Sequence, residues 1–311
     1  MTGPRSSAAG RREPAFKRVP KTAFYWLCLR AGPAGLQRTW LRLRRRTRCT
    51  ILVYHRVNDV SRDNLTTSTA RFAEHLETLK RHYPVLGLSA AVTALREGRY
   101  LGPNVVVITF DDGYADNHDN AAPILERFGL PATFFVTAAI VGSREAFEHD
   151  RKSPHRFETL TWNQVRSLAA RGFEIGSHGL THRNLARCSA EDARREVVES
   201  RAIIEKELGL PVPAFAYPFG GQDDVTPDVL AQIRAAGYEL IASAYGGANV
   251  GTIEPLNILR TGMSGSFDSL ALRATIEGVS LQGLKQRLRS GGRRAGWEAS
   301  GSPSRSSATG T

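Results

Sequence analysis

A chain of 311 residues with 41 % hydrophobic content is long enough for one large core, and 42 Lys and Arg against 30 Asp and Glu give it a net charge of +12. No apolar run of about 18 residues occurs, which excludes an ordinary spanning helix. The three widely spaced cysteines exclude a disulfide framework or a cysteine zinc finger.

The charge is polarised. Residues 1–49 hold 13 bases and one acid, residues 281–311 hold six bases and one acid, and residues 50–280 hold 23 bases and 28 acids. A nucleic-acid-binding body carries its own basic face, so nucleic acid is set aside as a partner. Residues 1–20, rich in Gly, Pro, Ser, Ala and Arg, are predicted to be a disordered basic tail. Residues 21–49 interleave Phe24, Tyr25, Trp26, Leu36, Trp40 and Leu43 with arginines, and predict a basic amphipathic segment. It would lie on an anionic membrane surface or pack on the domain. The apolar run Ala23 to Leu29 is short, is followed by Arg30 and lacks a clean cleavage site. A signal peptide is therefore a poor match, and a cytoplasmic place is expected, either free or peripheral at the inner membrane surface, with export by an unusual signal as the alternative. A catalytic domain is expected over residues 50–280, with residues 281–311 as a basic extension disordered at its end.

From Thr50 the pattern turns to alternating strands and helices. Thr50 to Tyr54, Val105 to Phe110, Ala132 to Val136, Phe173 to Gly176, Ala214 to Tyr217, Leu240 to Ala242 and Leu256 to Leu259 predict strands. Ala70 to Tyr83, Ala90 to Leu95, Asn117 to Phe128, Thr161 to Arg171, Ser189 to Leu208 and Pro227 to Ala236 predict helices. Thr161 and Gln164 form a capping-box pattern. Strand-then-helix repetition means a mostly parallel sheet covered by helices, as an open sheet or a barrel. Such folds place ligand groups after the strands. His55, Asp111, Asp112, His178 and the stretch Tyr217 to Gly220 all fall there.

His178 and His182, four apart in SHGLTH, suit a zinc-like metal. Asp111 and Asp112 are two carboxylates directly after an apolar strand, which is costly unless something uses them. In an extended segment they point to opposite sides, so one would complete a metal site with the histidines and the other would act as a base toward water. Two His and one carboxylate with an open position is a hydrolytic zinc arrangement.

TFDDG (Thr109 to Gly113), SHGLTH (Ser177 to His182) and AYPFG (Ala216 to Gly220), in that order, resemble the polysaccharide deacetylases of the NodB-homology type, carbohydrate esterase family 4. YHRV at Tyr54 to Val57 and PATFFV at Pro131 to Val136 support the likeness, which covers about residues 50 to 260. The resemblance implies an α/β fold, a distorted, incomplete (β/α) barrel. It implies Asp111 as general base and Asp112, His178 and His182 as metal ligands. One divalent metal is implied, zinc first, with cobalt, nickel and manganese as alternatives. The backbone N–H of Phe219 would hold the oxyanion. The implied reaction removes N-acetyl groups from amino sugars of an N-acetylglucosamine-type glycan or glycan intermediate, in surface polysaccharide or glycolipid biosynthesis. The alternatives are hydrolysis of another amide, such as a cyclic one, and a non-catalytic carbohydrate binder that keeps the metal site.

The chain departs from the family pattern. Ala216 stands where many members have an arginine that orients the catalytic aspartate. Leu256 to Leu259 ends in Arg260 rather than a histidine, and no histidine follows His182. Arg260 is therefore the candidate to stand beside Asp111, and His55 the candidate acid or substrate contact. Asp116 and Asn117 are expected to cap the helix that follows them. Phe110, Tyr217 and Phe219 are candidates for an apolar floor. The loop Val141 to Phe157 is expected to cover the cleft, with His149 and His155 given no role.

Overall fold

Alternation along the strands sorts the side chains into two cores. The computed structural model describes residues 25–29 and 32–279, so the expectations for residues 1–20 and 281–311 lie outside the described residues. Strands β1 (Arg48–Tyr54), β5 (Asn104–Phe110), β6 (Thr133–Val136), β7 (Glu174–Ser177), β8 (Ala214–Ala216) and β9 (Leu240–Ala242) pair in that order, all parallel. Of the short strands, β2 (Arg56–Val57) pairs with β3 (Thr66–Thr67), β4 (Val85–Leu86) with β5, and β10 (Asn249–Val250) with β1. Each is buried along nearly its whole length, as expected of strands covered on both faces. The sheet curls on itself. Val105, Val107, Cys49, Ile51, Phe135, Ala214, Ala216 and Ala242 face inward. Val106, Ile108, Phe110, Leu52, Tyr54, Phe134, Phe215 and Tyr217 face the outer helices. The same period of two carries the inward face on to Thr109, Asp111 and His55.

The inner face is tight. Phe135 lies where a Cβ on Gly176 would be 2.4 Å from its ring, so only glycine fits opposite it. At the starts of the strands the interior is plugged by Leu88, Ala91, Val92 and Leu95 of the short helix Leu88–Arg96. The other end is left for polar groups.

Most helices have local reasons for their ends. Ser68, Ser189 and Thr226 accept the N-terminal backbone N–H groups of Thr69–His82, Ala190–Leu208 and Pro227–Ala235. Thr161 and Gln164 close the capping box of Trp162–Ala170. Two further helices, Pro33–Leu43 and Ser269–Ile276, flank the start of β1. Their neighbourhood is tied by Arg38 to Glu277 (3.2 Å) and by Arg48 to the Ile276 carbonyl (3.0 Å).

Three expectations change. The helix expected over Asn117 to Phe128 begins as a π turn, Asn117–Ala121, before the α-helix Ala122–Phe128. Pro123 has no N–H to give the preceding turn, which suits a wider turn at that point. Asp116 and Asn117 make no caps. Asp116 accepts from Val57 N (3.2 Å) and Asn58 Nδ2 (2.6 Å), and Asn117 Nδ2 donates to the His55 carbonyl (2.7 Å). Leu256 to Leu259 is not a strand. Glu254 makes a turn there, accepting Asn257 N on its carbonyl and Leu256 N on its side chain. Ile258 forms a single bridge to Ala242, and the strand β11 follows as Arg260–Gly262, parallel to β1. The stretch from Ile258 to Gly262 thus spans the gap between β9 and β1, and the barrel stays incompletely closed.

Candidate metal centre and its base

The inward face of β5 ends in Asp111, which is 3 % exposed. Arg260 opens β11 on the far side of β1, and its side chain crosses the barrel interior. Nη1 donates to Asp111 Oδ1 at 2.7 Å and Nη2 to Oδ2 at 2.8 Å, a two-pronged pair. The guanidinium is itself fixed. Nε donates to the Ser243 carbonyl (2.8 Å), and the group lies over the Phe135 ring at 5.2 Å. Burial alone would raise the Asp111 carboxyl; Arg260 outweighs it and holds the group below its usual range. The alanine at 216 leaves a small inward side chain on β8, in the interior that Arg260 occupies.

The chain turns at once after Asp111. Asp112 takes φ 74 and Gly113 φ 88, so the two carboxylates are separated by a left-handed kink rather than by the alternation of an extended segment. Its surroundings also favour glycine at 113, since a Cβ there would come within a tight 3.3 Å of Val136. Asp112 Oδ1 lies 3.3 Å from His178 Nε2 and 3.2 Å from His182 Nε2. His178 donates or accepts at Nδ1 with the Ala216 carbonyl at 2.9 Å; a carbonyl only accepts, so Nδ1 carries the hydrogen and Nε2 keeps its lone pair.

The ligand atoms of Asp112, His178 and His182 all lie within 4.8 Å of one another. Both Asp112 oxygens are buried without a hydrogen-bond partner. Buried carboxylate oxygens left unpaired, facing two imidazole nitrogens, fit a divalent cation and little else. The loop that holds the histidines is pinned from the helix Ala190–Leu208. Buried Glu196 accepts Leu180 N and Thr181 N at 2.9 Å each, and the Thr181 hydroxyl. Nothing in the motif spacing pointed to Glu196; its signal is a carboxylate on the buried stripe of an amphipathic helix.

His55 stands on the inward face just after β1. Its Nδ1 is buried without a partner, and burial pushes its imidazole below the usual range, against the pull of Asp112 and Asp111. Phe219 takes φ 66 and is exposed, its ring 5.1 Å from that of His182. Phe110 and Tyr217 belong to the outer core and not to a floor of this site. Their places follow from strand phase. In the loop after β6, His149, given no role above, brings Nε2 to 3.6 Å from Asp112 Oδ2, while His155 stays away from the cluster.

An incompletely closed, mostly parallel α/β barrel with an Asp–His–His metal cluster at its carboxyl end defines a metal-dependent hydrolase class of fold and site. Residues 98–241 match the polysaccharide deacetylase family model. That stretch is similar to the polysaccharide deacetylase domains of the NodB-homology type. The chain is 25 % identical over 210 residues to YxkH of Bacillus subtilis (strain 168), which carries the polysaccharide deacetylase name; the match covers 67 % of this chain and 69 % of that one. It is 26 % identical over 184 residues to the poly-β-1,6-N-acetyl-D-glucosamine N-deacetylase of Staphylococcus aureus (strain N315), covering 56 % of this chain and 59 % of that one. Among solved structures it resembles the Streptococcus pyogenes deacetylase PplD in complex with acetate, with TM-score 0.63 and 23 % identity over 74 % of this chain and 98 % of that one. Among the described residues, no helix is long and apolar enough to cross a membrane.

Proposed function

We propose that the domain removes the N-acetyl group from an amino sugar of the N-acetylglucosamine type, in a glycan or glycan intermediate. The observation that carries this reading is the buried Asp111, held ionised by the Arg260 fork and adjacent in sequence to the ligand Asp112. A pure binder has no use for such a base. The substrate class rests on the likeness to the N-acetyl-D-glucosamine polymer deacetylase.

Asp112, His178 and His182 would hold one divalent ion, zinc in the first instance, with cobalt, nickel and manganese as replacements. Bound there, the ion would polarise the amide carbonyl and acidify a water. Asp111 accepts a proton from the attacking water as the new C–O bond forms. Arg260 keeps both Asp111 oxygens aimed and the carboxyl deprotonated. The backbone N–H of Phe219 donates to the carbonyl oxygen as it gains negative charge. The proton taken by Asp111 passes to the departing nitrogen as the C–N bond breaks, with His55 contacting the substrate or relaying that proton, leaving acetate and the free amine.

The outward stripe of the helix Pro33–Leu43 supports a seat on an anionic membrane surface. Leu36, Trp40 and Leu43 are exposed at i, i+4 and i+7, while Ala34 and Leu41 are buried on the domain. Arg42 and the exposed Arg44 stand beside them. That seat would place the protein at the inner face of a membrane.

The test is acetate release from short N-acetylglucosamine oligomers by protein stripped of metal and then reloaded with zinc or cobalt, beside an Asp111→Asn variant. Release that needs both metal and Asp111 supports the reading. No release from protein that holds one metal per chain counts against it.

A further inference from the structure

The loop Val141 to Phe157 carries a buried charged network that the scheme above does not use. Arg56, of the two-residue strand Arg56–Val57, is 1 % exposed. Its Nη2 donates to Asp63 (2.7 Å), its Nε to Thr66 (3.0 Å), and its Nη1 to Asp150. Its guanidinium lies 3.8 Å from the centroid of the Phe157 ring. Asp150 Oδ2 accepts the Tyr114 hydroxyl at 2.6 Å, and that hydroxyl is 2.8 Å from His149 Nε2. The His149 ring is laid flat against Phe147, with centroids 5.4 Å apart and planes 10° apart.

Counting protons gives the network a direction. Tyr114 has one hydroxyl hydrogen, and the Asp150 carboxylate, paired with Arg56, only accepts. The tyrosine hydrogen therefore goes to Asp150. The phenol oxygen is left as an acceptor, taking Arg56 Nη1 at 3.3 Å. His149 at 2.8 Å must then meet it with a hydrogen on Nε2. That same N–H faces Asp112 Oδ2 at 3.6 Å, an oxygen with no hydrogen-bond partner. A shift of a few tenths of an ångström lets that one hydrogen be shared between the tyrosine oxygen and Oδ2. Taking Arg56 and Asp150 out of water is costly. The structure that bears this cost ends by presenting a donor to the carboxylate of the metal cluster.

We propose that His149 is a positioning residue for Asp112. Its Nε2–H, shared between the Tyr114 oxygen and Oδ2, holds Oδ2, so that Oδ1, the oxygen facing His178 and His182, is left toward the ion. Ligating carboxylates depend on such outer partners. The inference rests on the reading of Asp112, His178 and His182 as the metal site.

The experiment measures zinc affinity by competition with a chromophoric chelator for the full chain and for His149→Ala and His149→Gln. The alanine variant should bind zinc about 10- to 100-fold more weakly. The glutamine variant, whose amide N–H takes the place of Nε2–H, should recover most of that loss. With cobalt, the visible absorption bands of His149→Gln should match those of the unaltered protein. Undiminished zinc affinity in a folded His149→Ala protein would overturn the proposal. Shifted cobalt bands in His149→Gln would overturn it in favour of direct ligation by His149. An unaltered chain that binds neither metal would overturn the metal-site reading itself, which is a different result from variants that match a zinc-binding parent.

Discussion

Two arginines lie fully buried in this domain, in two different settings. Arg260 sits inside the barrel with both prongs on one carboxylate, Asp111, which has no second cationic partner among its hydrogen bonds. Arg56 sits beneath the loop after β6 and divides its donors among Thr66, Asp63, Asp150 and Tyr114, with Phe157 under its plane. The first arrangement fixes the state and aim of one group and leaves the rest of the barrel untouched. The second ties together three separate stretches of chain. The same side chain thus tunes a proposed base in one place and knits a loop in the other. Removing either leaves a buried carboxylate without its cation, so both should cost stability; losing Arg260 should in addition cost activity through Asp111, while losing Arg56 should act through stability first.

The largest expected effect tests the target of the first arginine. Asp111→Asn should lower acetate release by about 10²- to 10⁴-fold with the metal retained, the range for loss of a positioned base; zinc stoichiometry and turnover on one preparation check it. Next is Arg260→Met, which should cost roughly 100-fold in kcat/KM through loss of aim. The acid limb of its pH–rate profile should also move to higher pH. The sign follows from Arg260 holding the Asp111 carboxyl down: without it the base is protonated, and inactive, over a wider acid range. An unmoved limb would separate Arg260 from the base.

Arg56→Met should unfold early, by about 3–5 kcal/mol in urea, because Asp150 is left buried with no cation and only the Tyr114 hydroxyl beside it. A loss as small as that of a surface pair would erase the contrast between the two arginines. The smallest effect belongs to the half-exposed partner. Asp63→Asn should cost less than about 1 kcal/mol at neutral pH, since solvent screens that pair. Asp63 is brought down to about 2: burial opposes this and its bonds to Arg56 and Ser61 outweigh it. Its contribution is therefore present above the ordinary carboxylate value of about 3.9 and is lost as pH falls through about 2. Urea midpoints of parent and variant should converge over that window.

The two networks were also unequally legible. Arg260 could be singled out because it ends a stretch that the family resemblance brings to the site. Arg56 stands in YHRV beside His55 and gave no sign of burial. His149 likewise sits in a charged stretch without periodicity, where spacing carries no information. Its proximity to Asp112 depends on how the loop folds over Tyr114, Ile140, Phe147 and Phe157. The expected strand at Leu256 to Leu259 failed for a related reason: three apolar residues in four fit a strand, but Glu254 closes a turn over Leu256 and Asn257 first.

The sequence by itself determined the parallel sheet, because runs such as Val105 to Phe110 can be stable only when covered on both faces. It also determined that Asp111, Asp112 and His178 would gather at the strand ends, because each follows a strand directly. Only the tertiary structure decided which groups meet across it. Asp112 turns away from Asp111 through a left-handed kink, Glu196 pins the histidine loop from a helix, and Arg260 and His149 arrive from opposite sides. Those meetings depend on curl, side-chain reach and loop path, which involve residues far apart in the chain and leave no local period to read.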